Sequence, residues 1–274
     1  RPAVGTWRQY RERRPTDDEI ATWFSADREA LCVLCGAASG NLEMIDFDAG
    51  GELFARWSQL VESESPGLLA RLVVERSQSG GYHVVYRCET EIAGNTKLAQ
   101  RRLDDGRIVT LIETRGEGGL FLCAPTPGYE IINGDLRALP VITAAERDTL
   151  IRAALDLNEY FPPAIDYHQN GNTNHDHGGP RPGDDYNARG DVVGLLRQHG
   201  WTLARDGTNQ YWRRPGKSSS WSATLKDRVL YVFSANAAPF ESGRAYSPFA
   251  AYTLLEHGGD WGRAASELRA QGYG

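Results

Sequence analysis

An α+β protein of two domains is what the sequence predicts, and three observations predict it. Strand-length apolar segments alternate with helices whose starts carry capping signals. A polar stretch rich in Gly, Asn and Pro follows residue 162. The 274 residues correspond to about two domains at ~150 residues each. Hydrophobic residues make up 41% and charged residues 24%, a balance that sustains a core and excludes a disordered or fibrous chain. No run approaches the ~18 apolar residues of a membrane span, so no membrane partner is expected.

In chain order, an Arg-rich opening, Trp7 to Arg14, precedes the first helix. Thr16 is its N-cap and Glu19 completes a capping box; Ile20, Trp23 and Phe24 supply an apolar face. Strands are predicted at Leu31–Cys35, Leu42–Phe47, Leu72–Glu75, Tyr82–Tyr86, Ile108–Ile112 and Leu120–Ala124, with a helix around Leu53–Leu60. A second capping box, Thr143 with Glu146, opens a helix to about Tyr160, which Pro162-Pro163 stops. The first domain is thus 1–162, and 163–183 is a linker by composition. The second domain, 184–274, holds a helix at Val192–His199 and strands near Trp201–Ala204, Gln210–Arg213, Ser220–Leu225 and Val229–Phe233. Helices at Pro248–His257 and Trp261–Gln271 close it.

Net charge is −6, which excludes a uniformly basic nucleic-acid coat. Residues 184–274 carry 11 Lys and Arg against 9 Asp and Glu, or +2, and the remainder carries −8. An acidic front half suits a site that concentrates cations. Cys32, Cys35, Cys88 and Cys123 include one C-x-x-C without a second pair at zinc spacing, so no zinc and no disulfide scaffold are expected, and a reducing cytoplasm fits. With neither a starting Met nor a signal peptide, the chain reads as an internal stretch of a longer protein.

Asp46 and Asp48 end an apolar strand, and alternation projects them from one face while Phe47 points the other way. Adjacent carboxylates repel, and a Mg²⁺ or Mn²⁺ ion between them relieves the repulsion; the simpler reading of an isolated D-x-D is a strand running into a polar turn. Glu113 and Arg115 share a face at the end of Ile108–Ile112. They form either a plain salt bridge or, in a nucleotidyl-transfer site, a metal ligand and a triphosphate contact. Ser79-Gly80-Gly81 leads into His83, a turn whose N–H groups suit phosphate oxygens.

Together these residues resemble the archaeo-eukaryotic primase superfamily, and within it the bifunctional primase–polymerase domain of phages, plasmids and other mobile elements. The resemblance rests on Ser39 to Asp48, Ser79 to His83, Gly94 to Ala99, Glu113 to Gly119 and Ala124-Pro125-Thr126, and covers roughly residues 1–160. It implies an RRM-like catalytic sheet beside a second α/β unit. Asp46, Asp48 and Glu113 then fall on the metal-ligand positions of two Mg²⁺ or Mn²⁺ ions, with Glu113 where many members carry Asp. His83, with Lys97 and Arg115, holds the triphosphate, and Ser79, Gly80 and Gly81 donate to it. The implied partners are a DNA template, dNTPs and, as alternative substrates, NTPs; the implied activity is template-directed nucleotide addition and de novo primer synthesis.

The second domain is similar in layout to the zinc ribbon of bacterial-type primases, without its cysteines. Trp212 and Trp221 alternate with Arg213, Arg214 and Lys217 as candidates for stacking bases and holding phosphates; the alternative is an aromatic core with solvated charges. Gly216-Lys217-Ser218 fails as a Walker A loop because Tyr211 stands where the first glycine belongs, so no ATPase motor is visible and a helicase domain or partner would have to lie outside this stretch. His175-Asp176-His177 departs from a replication-initiator nuclease motif, whose middle residue is apolar and on a strand. Two rival functions remain: a non-catalytic nucleic-acid-binding module, and a metal-dependent nuclease using the same acids.

Overall fold

A computed structural model describes residues 6–25, 30–160, 180–217, 221–234 and 236–274. The first of two units, 1–160, begins with α1 (Asp17–Trp23), β1 (Leu31–Leu34), β2 (Leu42–Phe47), α2 (Phe54–Glu64) and α3 (Leu68–Arg71). Strands β3 (Val73–Arg76), β4 (Tyr82–Cys88), β5 (Thr96–Arg102), β6 (Ile108–Arg115), β7 (Leu120–Cys123), β8 (Glu130–Asn133) and β9 (Val141–Ile142) follow, then α4 (Ala144–Leu155).

β2 is interior to the main sheet, whose order is β5-β6-β2-β4-β3-β8, with β9 paired in parallel to β4 off that path. Apart from Glu43, whose charge Arg147 answers, its residues are apolar up to Asp46 because both faces are covered. On the reverse face Phe47 meets Trp57 of α2, ring centroids 4.9 Å apart, and Phe54 stacks on Tyr82 at 4.2 Å. The Trp57 Nε1–H donates to the Leu150 carbonyl of α4 at 2.9 Å. On the front face Leu42, Met44, Val73 and Val85 pack against Phe121 and Cys123 of β7, which pairs with β1 in a separate two-stranded sheet. Full burial of each large apolar side chain contributes ~1.5–3 kcal/mol. That apolar packing gives way to carboxylates at the Asp46 end of β2.

Both predicted capping boxes form, at Thr16–Glu19 and Thr143–Glu146. The α1 face predicted to be apolar stays largely open, with Ile20 and Phe24 40% and 54% exposed. α4 ends at Leu155 rather than near Tyr160, because the following residues turn to the β5 edge. There Asn158 Oδ1 accepts the Gln100 N–H at 2.8 Å, and Glu159 and Tyr160 donate to the Gln100 carbonyl.

The second unit spans 161–274. It comprises α5 (Pro182–Arg189), α6 (Val192–Gln198), a five-stranded antiparallel sheet, and α7 (Pro248–His257) and α8 (Trp261–Ala270). The strands β10 (Thr202–Arg205), β11 (Gln210–Arg213), β12 (Ala223–Lys226), β13 (Val229–Val232) and β14 (Arg244–Tyr246) pair in sequence order. Pro182 and Gly183 belong to the first turn of α5 rather than to a linker, since Pro at a helix start loses no hydrogen bond. The rest of the expected linker up to 179, with His175-Asp176-His177, lies outside the described residues. No described helix is long and apolar enough to cross a membrane.

Candidate active site

Strand register assembles the site. Asp46 stands opposite Glu113 of β6 on one side and His83 of β4 on the other. Glu75 of β3 stands opposite His83, and Lys97 of β5 opposite Glu113. Directly opposed residues share a face, so Lys97, Glu113, Asp46, His83 and Glu75 form one transverse row across five strands. Asp48 continues the same face two residues beyond Asp46.

One oxygen from each of Asp46, Asp48 and Glu113 lies within 4.8 Å of the others, an arrangement no other trio of ligating side chains reaches among the described residues. An all-carboxylate set fits a hard divalent cation such as Mg²⁺ or Mn²⁺. The electrostatics agree with that fit: burial, then the neighbouring Asp48 charge, pushes Asp46 up from 3.8 to about 6, even though His83 and Arg115 pull it down. Arg115 pairs with Glu113 and lies 3.7 Å from Asp46, so one guanidinium partly balances three acids.

His83 is 5% exposed, with Nε2 3.6 Å from Asp46 Oδ1. Its Nδ1 lies 2.7 Å from Glu75 Oε1, while Glu75 Oε2 accepts the Ala124 N–H at 2.9 Å. Phe121 and Tyr129 flank the ring at 5.7 Å each.

The Ser77–Gly81 turn joins β3 to β4. A Cβ on Gly81 would meet the Phe47 carbonyl oxygen at 2.1 Å, so glycine alone permits this approach to the Asp48 end of β2. Within the turn the Gly80 N–H donates to the Ser77 carbonyl at 2.9 Å, so it is not a donor for phosphate. Ser79 Oγ lies 3.2 Å from Ser77 Oγ. At the opposite edge the Gly116–Gly119 turn clamps the start of β5. A Cβ on Gly116 would meet the Ala93 carbonyl at 2.0 Å, and the Gly116 N–H donates to Asn95 Oδ1 at 3.1 Å. This close packing places Lys97 on the row, exposed and without an ion pair among the described residues.

The candidates in the second unit fare differently. Trp212 and Trp221 are 0% and 4% exposed, so neither indole offers a face to a base. Trp212 packs in the core with Leu196, Leu230 and Ala251 because the inward face of a five-stranded sheet needs large apolar side chains. Lys217 Nζ donates to the Trp221 carbonyl at 2.9 Å and Arg214 to that of Pro215 at 3.0 Å. Arg213 is half-buried on β11.

Sequence reasoning missed Glu75 and the Ala124 N–H. A signal for Glu75 was present: a turn closed by Ser77 and Gly81 sets residues 75 and 83 opposite each other. Residues 1–144 match the family described as bifunctional DNA primase/polymerase, N-terminal, a span that contains the whole row. No curated protein matches the chain.

Proposed function

The chain belongs to the bifunctional DNA primase/polymerase family, and from that premise we propose that its first unit adds nucleotides to a 3′-hydroxyl under the direction of a DNA template, and also starts primers de novo. The observation that carries this reading is the convergence of Asp46, Asp48 and Glu113 beside His83 on one sheet face. Asp46, Asp48 and Glu113 would hold two Mg²⁺ or Mn²⁺ ions, whose chemistry there would be activation of the attacking hydroxyl and relief of charge on the leaving pyrophosphate. His83 donates to the triphosphate, and Lys97, exposed on the same row, adds a positive charge. Arg115 serves both sides, screening the acids and reaching the phosphates. Such a site works mainly by positioning reactants and stabilising charge. In fold terms we read the main sheet as RRM-like and the second unit as a metal-free relative of a zinc ribbon.

A labelled primer–template incubated with Mn²⁺ and dNTPs tests the reading. Extension is expected, and a parallel NTP reaction reads the sugar preference. Shortened primer would indicate a nuclease, and unchanged primer a binding module.

The second unit, with its +2 charge over 184–274, engages template or the initiating nucleotide. Its buried tryptophans leave charge rather than stacking as the basis of that contact. Residues 1–167 alone are then expected to extend a ready-made primer but to start new ones poorly. Equal initiation by this fragment and the full chain would reduce the second unit to a spacer or docking element.

A further inference from the structure

Glu75 is fully buried, yet it belongs to neither the acidic trio nor the set of phosphate donors. A buried carboxylate is costly unless its lone pairs are satisfied, and here each oxygen has a different partner. Oε2 accepts the Ala124 N–H at 2.9 Å, and Oε1 lies 2.7 Å from His83 Nδ1. A backbone N–H only donates, so it fixes the rotation of the carboxylate and leaves Oε1 for the ring. A carboxylate accepts, which makes Nδ1–H the donor.

We propose that Glu75 is the positioning residue of the nucleotide site. It sets the plane of the His83 ring and accepts its Nδ1–H, so that Nε2 is the nitrogen presented to the row at Asp46; the ring with both nitrogens protonated then donates from Nε2–H to a triphosphate oxygen while Nδ1–H stays on Glu75. The Ala124 N–H orders Glu75 in turn. A chain of fixed donors and acceptors thus runs from the end of β7 through β3 and β4 to the substrate. This inference rests on the nucleotidyl-transfer reading above and adds to it the residue that orients its histidine.

The test uses Glu75→Gln, which keeps the shape of the side chain. In this variant the amide oxygen must face the Ala124 N–H, so the amide NH₂ faces Nδ1 and turns that nitrogen into an acceptor, which leaves the ring neutral with its one proton on Nε2 and removes its positive charge from the triphosphate contact. Nitrogen-15 NMR of the whole chain, with the His83 signals assigned by their loss in His83→Ala, reads the change. Nδ1 is expected to be protonated in the wild type and unprotonated in Glu75→Gln. In primer extension Glu75→Gln is expected to raise the apparent KM for dNTP about tenfold while kcat changes by less than about threefold. On a His83→Ala background the same substitution is expected to change KM less than about twofold, because residues acting through one contact are not additive. An unprotonated wild-type Nδ1, or the same KM increase on both backgrounds, would overturn the proposal. The wild-type NMR measurement decides even if Glu75→Gln does not fold. Failure of the wild type to extend primer or bind dNTP would instead break the nucleotidyl-transfer reading, and is seen before any variant is made.

Discussion

Glu43 and Asp46 lie three residues apart on β2 and face opposite sides of the same sheet, yet they live in opposite electrostatic conditions. Glu43 is fully buried and fully answered: Arg147 donates to it from Nε at 2.6 Å and from a terminal nitrogen at 2.8 Å, and the Tyr86 hydroxyl at 2.7 Å. Asp46 has two carboxylate neighbours, with Arg115 and His83 at 3.7 and 3.6 Å. A buried acid with matched donors ties strand to helix. A cluster with more negative charge than its protein partners neutralise is held for a cation that the chain itself does not supply.

The largest expected effect follows directly. Asp46→Ala or Asp48→Ala is expected to abolish primer extension while the melting temperature does not fall. Retention of more than about a tenth of wild-type activity, roughly 1.4 kcal/mol of barrier, would break the metal assignment. The matching change on the other face has the opposite signature. Arg147→Ala removes the charge partner of Glu43 and is expected to cost about 3–5 kcal/mol in urea denaturation, with near-normal activity per folded molecule. Comparable stability losses from the two substitutions would erase the contrast.

A smaller effect is expected at His83, where the site meets nucleotide rather than metal. His83→Ala is expected to raise the apparent KM for dNTP about tenfold, on the order of one hydrogen bond to a charged group. An unchanged KM with normal turnover would make the ring structural.

The smallest effect is a pH dependence of the metal-free protein. Asp46 is raised from 3.8 to about 6, so the folded chain keeps a proton that the unfolded chain has released between those values. Its contribution to stability is fully present below about 4 and is lost as pH rises through about 6. Thermal melting without metal is therefore expected to decline over that window. Mn²⁺ is expected to raise the melting temperature more at pH 7.5 than at pH 4.5, and Asp46→Asn to flatten the profile. A flat wild-type profile would show that Arg115 already neutralises the cluster.

Much of this site was legible in the chain, because its strongest signals are local. Alternation along one strand is enough to put Asp46 with Asp48 and Glu113 with Arg115, and a capping box needs only residues three apart. β5 escaped the sequence reading for an equally local reason. Its segment Thr96–Arg102 is rich in Lys, Gln and Arg, and register shifts at Lys97, Ala99 and Gln100 interrupt the period of two. The aromatic residues of 201–231 misled because sequence shows that a Trp lies near an Arg, not which face of a sheet it occupies. Burial of Trp212 depends on β11 having neighbours on both sides and helices over it.

By itself, then, the sequence determined the α+β class, the helix starts and which side chains share a face of each strand, since backbone stereochemistry alone sets those relations. Tertiary structure decided which strands lie side by side and in what register. Only that pairing joins Lys97, Glu113, Asp46, His83 and Glu75 into one row, sets the Ala124 N–H against Glu75, and distinguishes the answered charge of Glu43 from the unanswered charge of Asp46. The physical reason is that strand pairing is a contest among long-range contacts, won by whichever register buries the apolar faces on both sides of the sheet.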